Sequence, residues 1–168
     1  RIRRQSAWKG RAKSMALVND LERLHDQWFW RDFAPDLHVV DVAFLTPQTA
    51  PEGVRLVARE ELLAQADVIS LHVPLNAGTR GLIGEAELRA MKPDAILINT
   101  SRGGLIDEAA LARVLTEGHL AGAGLDVTET EPMPADHPLR EIDRVVLTPH
   151  ILGHTVDLYS VMPEVLVE

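Results

Sequence analysis

The chain has 168 residues, 46% of them hydrophobic and 25% charged, with no cysteine and a formal net charge of −8. That length suits one domain with its own core, or part of a larger one. The composition excludes disulfides and thiolate metal sites and fits a reducing cytoplasm, offers no apolar run near the about 20 residues of a membrane helix, and is too acidic for a nucleic-acid surface on the main body.

Residues 1–31 stand apart. They hold eight Lys and Arg against Asp20, Glu22 and Asp26, together with all three tryptophans, so the rest of the chain carries −13. The break divides the chain into a basic, Trp-containing segment over 1–35 and a body over 36–168. Within the segment, RIRRQSAWKGRAK reads as a solvated basic arm. Ala16, Leu17, Leu21, Leu24 and Trp28 recur at about 3.6 residues, which predicts a helix over Met15 to Trp30.

From Leu37 the pattern is regular. Leu37 to Val40 reads as a strand with Asp41 at its tip, and Val54 to Val57 as another after the loop punctuation of Thr46-Pro47 and Ala50-Pro51-Glu52-Gly53. Arg59 to Ala66 is a two-turn helix with Leu62 and Leu63 facing inward. Asp67 to Leu71 is a strand that stops at His72-Val73-Pro74, because proline cannot continue a central ladder. Glu85 to Met91 is a short helix ended by Lys92-Pro93. Four apolar residues, Ala95 to Ile98, then suit a strand buried on both faces. It surfaces into Asn99-Thr100-Ser101-Arg102-Gly103-Gly104, where the glycines are free to take positive φ. Asp107 N-caps a helix that Gly118 ends. Ala121 to Val127 and Arg144 to Leu147 are the last strands, separated by a proline-rich loop over Glu129 to Pro138.

Alternation of strand and helix with short connections predicts an α/β fold: a doubly wound parallel sheet, Rossmann-like, of up to six strands. Parallel strands end on one edge, where such folds bind ligands. Asp41, His72, Arg102, Asp126 and His150 fall there, with Glu131 just beyond. Each has an ordinary alternative: Asp41 capping a turn, His72 as a satisfied half-buried imidazole, Asp126 bonding its own loop. Together they suit one chemistry. Arg holds a carboxylate by two parallel bonds, and a carboxylate beside an imidazole favours the protonated ring and fixes which nitrogen faces the substrate. Such a histidine is a general acid for a carbonyl oxygen receiving hydride.

The run ADVISLHVPLNAGTRGLI, the run MKPDAILINTSRGGLIDEAALARVLTEGHLAGAGLDV, the pair Glu131-Pro132 and TPHILGHT resemble the NAD-dependent D-isomer-specific 2-hydroxyacid dehydrogenases, the group that includes phosphoglycerate dehydrogenase. The resemblance spans roughly residues 54–158. It implies NAD as cofactor, a small 2-hydroxy or 2-oxo acid as substrate, and no nucleic-acid or membrane partner. It also implies Arg102 on the substrate, Glu131 paired with the histidine and His150 as acid/base. Asp126 would hold the nicotinamide carboxamide. Val73, Thr79, Thr100, Ser101, Arg102 and the segment from His150 to Gly153 would line the cofactor, and Asp41 would meet the adenosine ribose.

The sequence departs from this family in two places. Its G-x-G-x-x-G phosphate loop is missing, and the nearest equivalent, Asp20-Leu21-Glu22-Arg23-Leu24-His25, would set acids against a diphosphate. No segment is long enough for the family's substrate domain, and the chain stops within what reads as a returning helix containing Pro163. The expectation is the later part of a cofactor domain joined to an unfamiliar start, with little turnover by itself. The alternative is a non-catalytic module that binds dinucleotide weakly or not at all and serves in binding or pairing with a second copy.

Overall fold

The computed structural model describes the backbone of residues 15–19 and 37–41 and the chain from 54 to 153. Seven strands form one sheet in the order β3-β2-β1-β4-β5-β6-β7. They are β1 Met15–Asn19, β2 Leu37–Asp41, β3 Val54–Leu56, β4 Val68–His72, β5 Ile96–Asn99, β6 Gly122–Leu125 and β7 Val145–Leu147. Every pairing is parallel. The order reverses between β1 and β4, which places a ligand crevice outside their carboxyl ends. The helices are α1 Arg59–Gln65, α2 Glu85–Ala90 and α3 Glu108–Thr116.

The strand β1 corrects the first five residues of the helix expected over Met15 to Trp30; the rest of that span lies outside the described residues. Five residues of β1 pair with Leu37–Asp41 on one side and five with Val68–His72 on the other. A strand flanked on both edges by parallel neighbours reads as a short continuous apolar run, here Met15 to Val18, and periodicity alone cannot tell it from a helical segment. β1 is also the strand that raises the count from six to seven, and it falls within the basic segment over 1–35. The motif equivalent at Asp20 to His25, the loop punctuation between 42 and 53, and the returning helix with Pro163 lie outside the described residues.

A second correction concerns β5. Burial on both faces is not observed: Leu97 and Asn99 are buried, whereas Ile96 and Ile98 are half-exposed. Leu97 packs into one apolar cluster with Leu88 of α2 and Leu111 and Leu115 of α3. The strand therefore presents one fully covered face and one partly open face.

Local chemistry sets the boundaries of α3. The Asp107 carboxylate accepts the Ala110 amide at 2.9 Å, an N-cap bond. At the other end Gly118 takes φ +88°. Its amide bonds the Leu115 carbonyl and that of His119 bonds Val114, the paired closure of a Schellman cap. Asp107→Ala should cost about 1 kcal/mol of unfolding free energy by urea titration; a change below about 0.3 kcal/mol would show that packing alone starts this helix.

Candidate active site at the carboxyl edge of the sheet

His150 and Glu131 meet although 19 residues separate them: His150 Nδ1 lies 2.8 Å from Glu131 Oε2. The other carboxylate oxygen, Oε1, accepts the Thr128 amide at 3.1 Å. The bond from His150 and then the Thr128 amide hold the Glu131 carboxyl below its usual range. With Nδ1 committed, Nε2 is free for a ligand, and no described residue bonds it. His150 has φ +56°, a left-handed conformation uncommon outside glycine. Its amide donates to the Asp126 carbonyl at 2.8 Å, which fixes that backbone. Strain held in place by its surroundings is characteristic of functional positions.

Asp126 is the post to which this loop is tied. It is buried, and its carboxylate accepts the Thr148 hydroxyl, the Ile151 amide at 3.0 Å and the Leu152 amide at 3.1 Å. Burial pushes its pKa up, but those three bonds outweigh burial and the net shift is downward. Asp126 therefore bonds not its own loop, the ordinary alternative, but the segment after β7 that carries His150. A cavity of about 770 Å³ opens beside the pair, lined by Glu131 and His150 together with Met133, Arg140, Val145 and Leu147.

Arg102 follows β5. Its side chain is exposed, with Nη1 donating to the Ser101 carbonyl at 2.6 Å. Its own carbonyl accepts Asn99 Nδ2 at 2.9 Å and the Ser101 amide donates to Asn99 Oδ1 at 3.0 Å, so the Asn99 side chain fastens the turn from the end of β5. The glycines that follow are not used for positive φ, contrary to the expectation above. Gly103 and Gly104 sit in a 3-10 turn, Gly103–Leu105, and the described glycines with positive φ are Gly81 and Gly118. Gly103 is required by contact, since a Cβ there would lie 1.9 Å from the Thr128 carbonyl carbon. Through it the turn bearing Arg102 rests directly on the loop bearing Glu131.

The remaining predicted residues are structurally varied. The Ser101 hydroxyl donates to the Leu71 carbonyl at 2.8 Å, joining β4 and β5 at the edge. The buried Thr79 hydroxyl donates to the Pro74 carbonyl at 2.7 Å and accepts the Asn76 amide at 2.9 Å, closing its own loop. Val73 is buried, Thr100 is half-buried and Gly153 is exposed in a turn. His72 ends β4 with Nε2 2.7 Å from the Ser70 hydroxyl, and burial pushes its imidazole below the usual range. Asp41 ends β2, paired with Asn19 of β1, and only its backbone is described. Sequence reasoning missed Glu108 and His137, a buried carboxylate 3.2 Å from a half-buried imidazole in the loop that carries Glu131. An acid just after an N-cap reads as an ordinary first-turn charge, and nothing local signals its burial.

Residues 31–151 match the family model described as D-isomer specific 2-hydroxyacid dehydrogenase, NAD binding domain. A glyoxylate reductase of Korarchaeum cryptofilum is 50% identical over 116 residues, 69% of this chain and 35% of that protein. Among solved structures, a protein from Thermus thermophilus superposes with a TM-score of 0.82 at 40% identity, covering 94% of this chain and 49% of the other. A D-lactate dehydrogenase with NAD+ from Lactobacillus jensenii gives 0.79 at 31%, covering 92% and 50%. The chain thus spans about a third of that curated relative and about half of each solved chain. A parallel sheet in doubly wound order, a histidine–carboxylate pair at its edge and a family model matched over most of the sequence lead to one conclusion: the chain belongs to the D-isomer-specific 2-hydroxyacid dehydrogenase family, over its NAD-binding domain.

Proposed function

We propose that this chain is the cofactor-binding part of an NAD-dependent oxidoreductase that interconverts a 2-hydroxy acid and its 2-oxo acid. The observation that carries the reading is the 2.8 Å contact of His150 Nδ1 with Glu131, which leaves Nε2 open at the carboxyl edge of the sheet. The described residues fit a dinucleotide there. Thr100 follows β5 and the segment from His150 to Gly153 follows β7, at the carboxyl ends of the strands, and Asp126 accepts the Ile151 and Leu152 amides while keeping acceptor capacity at its second oxygen. The bound cofactor would supply the hydride. Glu131 orients the imidazole, His150 Nε2 gives a proton to the carbonyl oxygen or takes it back, and the exposed Arg102 fork turns to the substrate carboxylate. The absence of cysteine supports a reducing cytoplasm as the setting. No helix among the described residues is long and apolar enough to cross a membrane.

A second reading has its own support. β1 ends at Asn19 in the middle of the sheet, and the next residues include Asp20 and Glu22 where a phosphate loop would want glycine. On that reading the domain binds dinucleotide poorly and acts as a binding module or pairs with a second copy. Titration of the chain with NADH, followed by nucleotide fluorescence, separates the two. Saturable change is expected, and no change under protein-saturating conditions selects the module. Any glyoxylate-dependent oxidation of NADH should fall about 100-fold or more in His150→Ala, the usual range for a lost general acid; an unaffected rate would remove His150 from the chemistry.

A further inference from the structure

Asp126 and Glu108 are the two charged side chains buried among the described residues. Asp126 ties down the loop that carries His150. Glu108, the first residue of α3, does the corresponding work for Glu131. Its Oε1 accepts the Glu129 amide at 2.6 Å, and its Oε2 lies 3.2 Å from His137 Nε2. His137 Nδ1 accepts the Leu139 amide at 3.3 Å, which leaves Nε2 as the donor toward Glu108. Glu129 and His137 stand on either side of Glu131 in the chain, so one carboxylate holds both ends of the segment that presents it.

A first-turn acid can complement a helix end without leaving water. Glu108 is instead 7% exposed, and burial pushes its carboxyl above the usual range despite the Glu129 amide. That cost is offset only if the loop needs the anchor. The peptide it grips is the one that rests on Gly103, and the amide of the peptide just before it, at Thr128, reaches Glu131 Oε1. We propose that Glu108 is a positioning residue for the reaction assigned above, fixing the Glu129–His137 segment so that Glu131 meets His150. The proposal rests on that reading of the Glu131–His150 pair.

The test follows the titration of the Glu131 carboxyl by NMR of the full chain labelled with 13C-carboxyl glutamate. Its resonance is assigned by its loss in Glu131→Gln, and His150→Ala gives the midpoint without a partner. The parent midpoint should lie below the His150→Ala value. Glu108→Ala and Glu108→Asp should each move it at least halfway up to that value, and Glu108→Gln, which keeps an oxygen for the Glu129 amide, should restore most of the difference. Aspartate withdraws the carboxylate by only about 1.5 Å, so it decides the matter if the alanine protein does not fold. An unmoved midpoint in folded Glu108→Asp would overturn the positioning role. A parent midpoint equal to that of His150→Ala would mean that Glu131 and His150 are unpaired, which overturns the functional reading itself.

Discussion

Gly103→Ala should destabilise the chain by about 3 kcal/mol or more, at the upper end of overpacking costs. The new methyl carbon would stand 1.9 Å from the Thr128 carbonyl carbon, 2.1 Å from its oxygen and 2.3 Å from the Glu129 nitrogen. Carbon atoms separate favourably at about 3.5–4.0 Å, so the loop peptide or the turn must move by more than about 1 Å. Both are backbone, and neither has a rotamer to change. The displaced peptide donates its Glu129 amide to Glu108, and the Thr128 amide of the peptide just before it donates to Glu131. Gly104→Ala is the matched control. Its nearest neighbours are Arg80 Nη1 at 3.0 Å and a Leu75 side-chain carbon at 3.1 Å, flexible groups that can withdraw, and its cost should be about 1 kcal/mol or less. Urea unfolding of the two proteins measures the difference; equal losses would show that the Thr128–Glu129 peptide yields freely.

The contrast between these glycines shows what a linear sequence conveys. Gly103-Gly104 after a short apolar run announced a turn at a strand end, and the turn is there. The reason for the first glycine lies 25 residues further on, in a loop that reaches it only once β5 and β6 are paired. Strand and helix order was legible from β2 onward because burial periodicity, Asp107 and Gly118 act locally. β1 was not, since Met15 to Val18 is too short to display a period and becomes a strand only through its two neighbours. The site divides in the same way. His150 and Arg102 were legible as residue types gathered at strand ends, with Glu131 in the loop just beyond, and the pairing of Glu131 with His150 came from the family resemblance. Glu108 was not, because its partners are a backbone amide 21 residues away and an imidazole in a proline-rich loop. Thr79 and Ser101 were implied by the family resemblance as cofactor-lining residues, and their hydroxyls bond the Pro74 and Leu71 carbonyls.

Asp126→Asn should lose about 3 kcal/mol at neutral pH. The parent carboxylate receives one hydroxyl and two backbone amides in a buried setting. An amide side chain offers one oxygen, so its NH2 group must face the Ile151 or the Leu152 amide, donor against donor. Bonds to a charged acceptor are worth about 1.5–3 kcal/mol, and a buried donor left unmade costs about 1–3 kcal/mol. The pH dependence distinguishes this account from simple mispacking. Asp126 has a lowered pKa in the fold, so it contributes stability above the unfolded aspartate value of about 3.9 and loses it as pH falls through the folded value. Asparagine has no charge to lose. The stability gap between the two proteins should therefore narrow as pH drops below about 4. Glu108 works in the opposite sense: its raised pKa favours the fold below the unfolded glutamate value, and that contribution disappears as pH rises through the folded one. The gap must thus be read by difference between the parent and Asp126→Asn, in which the Glu108 contribution cancels. A gap that stays constant through the acid range would mean that the charge of Asp126 does not hold the His150 loop.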